Sequence, residues 1–184
     1  MKTENLRRYL NSFGKQVVNR SKGNLQRKKG GNTALGNSIK FKVVSKGDSL
    51  TVEFIMSSYG KFVDKGVSGT KRTRTFKDFK NKTIRSPFSY KNSKGHSQPP
   101  TKALDKWLVK KGIAPRDVKG KFTSRKSLKF LIARSIGRNG IQGISFFQKP
   151  FGLAMVGFRA QVSKAIKKDI QDELKGKEKE KTKK

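Results

Sequence analysis

Residues 38–55 read SIKFKVVSKGDSLTVEFI and predict the element around which the fold is organised. Every second side chain on each side of a central turn is apolar, and this period of two is typical of half-buried strands. The alternating apolar residues are Ile39, Phe41, Val43, Leu50, Val52 and Phe54. Gly47 and Asp48 are residue types that favour a tight turn. We therefore expect a β-hairpin over residues 38–55.

A helix is predicted near each end of the chain, because apolar residues recur there at helical spacing. The first spans Thr3 to about Val18 with Thr3 as its N-cap, and a basic loop is expected from Arg20 to Asn32. The last helix has Pro150 in its first turn and presents one apolar face. That face consists of Met155, Phe158, Val162, Ile166, Ile170 and Leu174.

Three shorter helices are expected between the hairpin and the last helix. The first lies within residues 59–67, where Gly66 ends it. The second covers residues 101–111, and the third covers residues 124–136 and is ended by Gly137. The apolar face of the second consists of Leu104, Trp107 and Leu108. Together these elements predict an α+β fold, in which a small antiparallel sheet is packed by the N- and C-terminal helices.

The chain is predicted to form one domain over residues 1–175, with a basic helical and loop insertion at about 71–137. A length of 184 residues is sufficient for a single buried core. Residues 176–184 contain mainly Lys and Glu, and we expect them to be a disordered tail.

The net charge of +34, from 46 basic and 12 acidic residues, indicates a polyanionic neighbour, most often nucleic acid. The absence of cysteine excludes disulfides, Cys-ligated zinc and thiol catalysis, and a single histidine, His96, excludes a cluster of histidine ligands. No apolar stretch approaches the length of a membrane span, and the N-terminus lacks the apolar segment of a signal peptide. We expect a soluble protein with no metal, cofactor or membrane partner.

Catalysis is not expected, because the acidic residues are dispersed along the chain. His96 lies in a basic segment where a solvated histidine is more common than a general base. Asp64 is interpreted as a structural or interface carboxylate. The pattern Gly137-Arg138-Asn139-Gly140 has the form of a KH-domain clamp loop, but the surrounding elements do not follow the KH order.

The strongest candidate for function is a basic arm, residues 71–100, in which Phe76, Phe79, Phe88 and Tyr90 are interleaved with cations. Such a segment can neutralise phosphates and stack on bases. The equally weighted alternative is a solvated insertion whose aromatic residues pack on a neighbouring subunit. The candidate contact residues are Arg72, Arg74, Lys77, Lys80, Lys82, Arg85, Lys91 and Lys94.

The order of four segments resembles the tail-completion, or head–tail joining, family of tailed bacteriophages. An amphipathic N-terminal helix precedes Thr33–Ile39, which is similar to the family's T-G-x-L-x-x-S-I, and the hairpin follows. Residues Tyr59–Val67 are similar to Y-A-x-Y-V-E-F-G-T, and Phe146–Ala154 to the late P-F-L-x-P-A element. Residues that match these motifs and are expected to be structural are Tyr59, Phe62, Val63, Asp64, Gly66, Phe147, Pro150 and Phe151.

The resemblance implies a structural virion protein, made in the bacterial host cytoplasm, that forms a symmetric ring at the head–tail interface or in the tail. Its implied partners are copies of itself, portal or adaptor proteins, tail proteins and channel DNA held by non-specific electrostatics. The alternative is a free basic nucleic-acid-binding protein, such as a packaging or ribosome-associated factor. An enzyme such as a nuclease ranks third.

Overall fold

The computed structural model describes residues 3–30, 33–47, 49–92, 97–114, 116, 119–121 and 124–181. Helices flank small antiparallel sheets of two strands each, which confirms the predicted α+β class. The chain divides into two compact units. Unit 1 comprises Met1–Gly60, Asp78–Lys82 and Phe146–Lys184, and unit 2 comprises Lys61–Lys77 and Thr83–Ser145.

Unit 1 is built on α1, a helix from Glu4 to Lys29. The prediction of a loop from Arg20 is wrong, because the buried stripe of the helix continues past Val18 to Leu25, which is 1% exposed. Gly23 does not interrupt α1, and the helix ends at Gly30, whose φ of 72° is left-handed. Three basic residues in the last turn favour this end, since they face the negative end of the helix dipole.

The start of α1 departs from the predicted cap. The side chain of Thr3 makes no capping hydrogen bond, although its carbonyl accepts from the backbone N–H of Arg7 at 2.9 Å. The carboxylate of Asp169 accepts hydrogen bonds from the free N–H groups of Asn5 and Leu6 in the first turn instead. A residue distant in sequence therefore performs the role that local sequence assigned to Thr3.

The predicted hairpin is confirmed. A short helix, α2 (Ala34–Ser38), leads into strands β1 (Lys40–Lys46) and β2 (Ser49–Ile55), which pair antiparallel from Lys40–Ile55 to Lys46–Ser49. Gly47 in the turn has a φ of 57°, and Asp48 lies outside the described residues. The hairpin packs on α1, where the ring of Phe41 occupies the space that a Cβ on Gly14 would need.

The C-terminal region forms two helices and not the single one predicted. Helix α6 (Gln148–Met155) has Pro150 in its first turn as expected, and α7 (Phe158–Lys181) follows. Between them Val156 is extended and Gly157 has a φ of 76°, a left-handed conformation that breaks a helix. Both helices pack on α1, but Ile170 and Leu174 on the predicted apolar face are 45% and 58% exposed.

Helix α7 extends through Gly176–Lys181, where the sequence predicts a disordered tail. Lys and Glu are good helix formers, so a helix that is already anchored upstream extends through them at little cost. Residues 182–184 lie outside the described part of the chain.

Aromatic side chains dominate the core of unit 1. Phe13 of α1 and Phe158 of α7 have ring centroids 4.8 Å apart, and Phe54 of the hairpin lies 5.4 Å from Phe147. Phe151 contacts both Phe13 and Phe54 edge to face, at 6.3 and 6.1 Å. This cluster joins the hairpin to both terminal regions, as the predicted architecture requires.

The second unit contains the remaining short elements. Helix α3 (Gly60–Lys65) begins at the unit boundary and leads into β3 (Gly66–Val67), which pairs antiparallel with β6 (Ile141–Gln142). Strands β4 (Thr75–Lys77) and β5 (Thr83–Arg85) form a second pair, and a 3₁₀ helix spans Tyr90–Asn92. Helices α4 (Lys102–Lys110) and α5 (Arg125–Asn139) complete the unit.

The prediction of a basic arm without regular structure is wrong over part of residues 71–100. Strands β4 and β5 and the 3₁₀ helix lie within this segment, and Phe76 is only 8% exposed. These strands have no signature in the sequence, because three residues are too few to display a period of two.

Helices α4 and α5 occur where the sequence predicts them, but three details differ from the prediction. Trp107 is 44% exposed, whereas its neighbour Leu108 is buried, with 1% exposed. Gly137 does not stop α5, which continues to Asn139 and ends at Gly140. The sequence predicts that Leu128, Leu131, Ile132 and Ile136 form the apolar face of α5. In the structure Leu131 is 60% exposed, whereas Ala133, outside that set, is fully buried.

Candidate nucleic-acid and partner interface

The predicted contact residues within the described part of the chain belong to both units. Arg72, Arg74, Lys77, Arg85 and Lys91 belong to unit 2, whereas Lys80 and Lys82 belong to unit 1. Lys94 and His96 lie outside the described residues. The described candidates are therefore divided between two units.

The turn between β3 and β4 packs on the C-terminal end of α5. The backbone N–H of Thr70 donates to the carbonyl of Gly137 at 2.8 Å, and that of Lys71 to Arg138 at 3.0 Å. The Nε of Arg74 donates to the carbonyl of Asn139 at 2.7 Å. These carbonyls carry the negative end of the helix dipole, so Arg74 stabilises the fold of unit 2.

The glycines at this helix end have a packing role. Gly140 has a φ of 68°, and a Cβ there would overlap the carbonyl oxygen of Val67. A Cβ on Gly69 would overlap the carbonyl of Arg138 in the same way. A Cβ on Gly137 would likewise overlap the carbonyl oxygen of Ser97, so close approach of backbones accounts for both glycines of the 137–140 pattern.

The β4–β5 hairpin presents cations on one face. Thr75 pairs with Arg85 and Lys77 with Thr83, so the side chains of Lys77 and Arg85 lie opposite to that of Phe76. Phe76 is buried and Arg85 is exposed. The backbone N–H of Lys77 donates to Ser145 Oγ at 3.0 Å, which fixes this strand within unit 2.

In unit 1, residues 78–82 form a tight turn that presents two lysines. Asp78 Oδ1 accepts from the backbone N–H of Lys82 at 2.7 Å, and the backbone N–H of Asp78 donates to the Lys82 carbonyl at 3.0 Å. Phe79 anchors the turn against Phe151 with centroids 6.2 Å apart. The side chains of Lys80 and Lys82 are exposed, so both are available to a polyanion.

The motif at residues 59–67 has a structural part and an exposed part. Asp64 is 4% exposed, and its carbonyl accepts from the backbone N–H of Ser145 at 2.9 Å. Gly66 has a φ of 75° and lies against the backbone of Gly143. Tyr59 and Phe62 are 45% and 40% exposed, and Val63 is half-buried.

The late motif lies in the core of unit 1. Phe147 and Phe151 stack with an interplanar angle of 17° and a centroid distance of 5.9 Å. Pro150, in the first turn of α6, is fully buried. These three residues therefore contribute to the packing of unit 1.

Unit 2 also contains an open apolar groove, called the unit 2 groove below, that the sequence did not predict. It has a volume of about 590 Å³. Its lining residues are Phe62, Val67, Pro87, Phe88, Ser89, Tyr90 and Ile141. In the sequence, the aromatic and basic residues interleaved around Phe88 indicate a candidate binding surface. No feature of the sequence near Phe88 indicates that Phe62 lies beside it in the fold.

The rings of the unit 2 groove have a cation beside them. Phe62 and Phe88 have centroids 4.5 Å apart, and the Nζ of Lys61 lies 5.2 and 5.8 Å from these two centroids. Burial raises the pKa of the Tyr90 hydroxyl above its ordinary range. The arrangement combines π faces, a hydroxyl and a positive charge.

Within the described residues, no three His, Asp or Glu side chains come together as a metal site. None of the helices in the same part of the chain is both long and apolar enough to cross a membrane. Comparison of the chain with models of protein families, with curated proteins and with solved structures gives no match.

Proposed function

We propose that this chain is a structural virion protein of a tailed bacteriophage, which forms a symmetric ring in the head–tail connector or tail-completion complex. The observation that carries the proposal is the order of the four motif segments along the chain. Helix α1, the β1–β2 hairpin and helices α6 and α7 follow one another in that order and pack together in unit 1.

Exposed apolar residues support a role in assembly. On the C-terminal helices and the link between them, Leu153, Val156 and Leu174 are 64%, 80% and 58% exposed. Leu153 and Val156 line the same groove, and contiguous exposed apolar side chains are typical of surfaces that a neighbouring subunit covers. A ring needs such heterologous contacts on two faces of every subunit.

The charge fits the same role. A ring repeats the +34 of one chain around its axis, so that its lumen attracts DNA without reading sequence. The subunit would act as a scaffold that joins portal to tail, seals the channel and holds the end of the genome. It would carry out no catalysis and need no cofactor.

Immunogold electron microscopy of purified phage particles, with antibody raised against this chain, tests the proposed position. We expect label at the junction of head and tail, or along the tail if the chain belongs to a tail ring. Label confined to capsid faces, or an unlabelled particle whose western blot is also negative, would contradict the proposal.

The second candidate is a free basic nucleic-acid-binding protein. The specific observation in its favour is the aromatic unit 2 groove with Lys61 beside its rings. Under this alternative the chain co-sediments with nucleic acid in infected cells and is missing from finished particles.

A further inference from the structure

We propose that the unit 2 groove binds an unpaired nucleobase of a single-stranded nucleic acid. This inference does not depend on the ring, because all of the groove residues belong to one unit of one chain. It also goes beyond attraction of phosphate to positive charge, since it assigns a separate contact to the base.

The rings provide the stacking surface. Phe62 is 40% exposed, and its ring is tilted by 60° to that of Phe88. Tyr90 and the exposed Ile141 also line the groove. Every base has a flat π face, so aromatic side chains at an open surface can stack on it whatever the sequence. A groove of about 590 Å³ is large enough to admit a base with its sugar.

The charges around the groove favour a nucleotide over a neutral apolar ligand. Lys61 lies beside the rings, and Lys91, which follows Tyr90 in the 3₁₀ helix, is exposed. Among the described residues that line the groove none is acidic, and Asp64 of α3 is buried. A base in the groove would thus have cations nearby for the phosphate attached to it.

A second copy of the chain is a poorer occupant. Each copy carries +34, so a second copy would bring net positive charge to a groove that already has Lys61 beside its rings. A single-stranded nucleic acid supplies both the flat apolar group and the neutralising charge. Charge complementarity therefore favours a nucleic acid over a second copy of the chain as the occupant of the groove.

The test compares two labelled oligonucleotides that have the same number of phosphates, oligothymidylate and an abasic strand, by fluorescence anisotropy in moderately high salt. Salt weakens the phosphate contribution and leaves the base contribution. We expect the full chain to bind oligothymidylate about tenfold more tightly than the abasic strand, the size of one stacking contact. Equal affinity for the two strands would overturn the inference.

Three variants assign any base preference to the groove. Phe62→Leu and Phe88→Leu retain apolar volume but remove a ring, and the matched control is Phe130→Leu in α5, a residue 50% exposed that does not line the groove. We expect the first two to lose most of the preference and the control to keep it. A preference unchanged in Phe62→Leu and Phe88→Leu, with circular dichroism showing all three folded, would overturn the assignment.

If a second copy of the chain occupies the unit 2 groove, self-association should depend on the groove residues. Analytical ultracentrifugation of the wild-type chain and of Phe62→Leu without nucleic acid measures self-association through the groove. We expect the same sedimentation for both. Wild-type dimers that Phe62→Leu dissociates, together with no preference for bases over the abasic strand, would replace the nucleobase by a second copy.

Discussion

The carboxylate of Asp169 in α7 holds the first turn of α1 through Asn5. Asp169 Oδ1 accepts from the backbone N–H of Asn5 at 2.8 Å and from its side-chain amide at 2.9 Å, and Oδ2 accepts from the N–H of Leu6 at 3.0 Å. Asp169 is 2% exposed. One side chain thus satisfies two free backbone donors of a helix 164 residues away in sequence and lies at the positive end of its dipole.

Asp169→Asn should lower the stability of unit 1. The amide of asparagine presents one acceptor oxygen and no charge, so the variant loses charge-assisted hydrogen bonds to Asn5 and Leu6. We expect a loss of about 1–3 kcal/mol in the free energy of unfolding, measured by urea titration. The matched control is Asp172→Asn, because the Asp172 carboxylate is exposed and accepts from the side-chain amide of Asn5 at 2.9 Å. A loss as large in the control would refute the capping role.

The carboxylate of Asp169 also makes the stability of the fold depend on pH. Burial raises the pKa of Asp169, but hydrogen bonds from Asn5 and Leu6 and the charge of Arg8 outweigh it, so that the pKa lies below its ordinary value. A carboxyl with a lowered pKa in the folded state stabilises the fold above its unfolded pKa, and this contribution disappears as the pH falls through the folded value.

Urea titrations from neutral pH to strongly acidic pH check this dependence. We expect the difference in stability between wild type and Asp169→Asn to be constant near neutral pH. It should shrink as the pH falls below the ordinary aspartate value of about 3.9. A difference that stays constant down to the lowest pH would show that the charge of Asp169 contributes nothing.

The two glycines Gly140 and Gly23 should respond in opposite directions to alanine. Gly140 has a left-handed φ, and a Cβ there overlaps the Val67 carbonyl, so Gly140→Ala should cost about 1–3 kcal/mol or more. Gly23 lies within α1 with open space around it, so Gly23→Ala should stabilise by about 0.5–1 kcal/mol. Thermal unfolding of both variants compares them, and a stabilised Gly140→Ala would contradict the close packing at the end of α5.

The candidate cations should separate into structural and DNA-contacting members. Arg74→Gln removes the hydrogen bond to the Asn139 carbonyl and should lower the free energy of unfolding by about 0.5–1.5 kcal/mol.

Neutralising Lys80 and Lys82 should leave the free energy of unfolding unchanged, since both side chains are exposed. These substitutions should instead reduce the slope of log affinity for duplex DNA against log salt, by about 0.9 for each phosphate that the protein no longer neutralises. An unchanged slope would remove the two lysines from the DNA surface.

The sequence predicts the elements whose residues alternate or repeat over many positions. The β1–β2 hairpin has seven residues in each strand, and its period of two is visible without any structure. Strands β4 and β5 have three residues each, which is too few to show a period. The predicted end of α1 is too early because Gly23 and its polar neighbours are typical of a loop, whereas the burial of Leu25 outweighs the cost of a glycine within the helix.

The candidate sites depend still more on tertiary structure. The sequence groups Arg74 with the DNA-contacting residues, and only the position of α5 shows that it binds a helix end. The contact between Phe62 and Phe88 joins residues from two separate segments, so the unit 2 groove has no local signal. Asp169 is one of several acids on a predicted helix, and its partners Asn5 and Leu6 lie at the other end of the chain.

The most direct test of the proposed function is quantitative mass spectrometry of nuclease-treated, gradient-purified phage particles, with copies of this chain counted against the portal protein. The proposal predicts a small fixed ratio that agrees with a symmetric ring and does not vary between preparations. Absence of the chain from the particles, while it is abundant in infected cells, would contradict the connector role and favour the free nucleic-acid-binding protein.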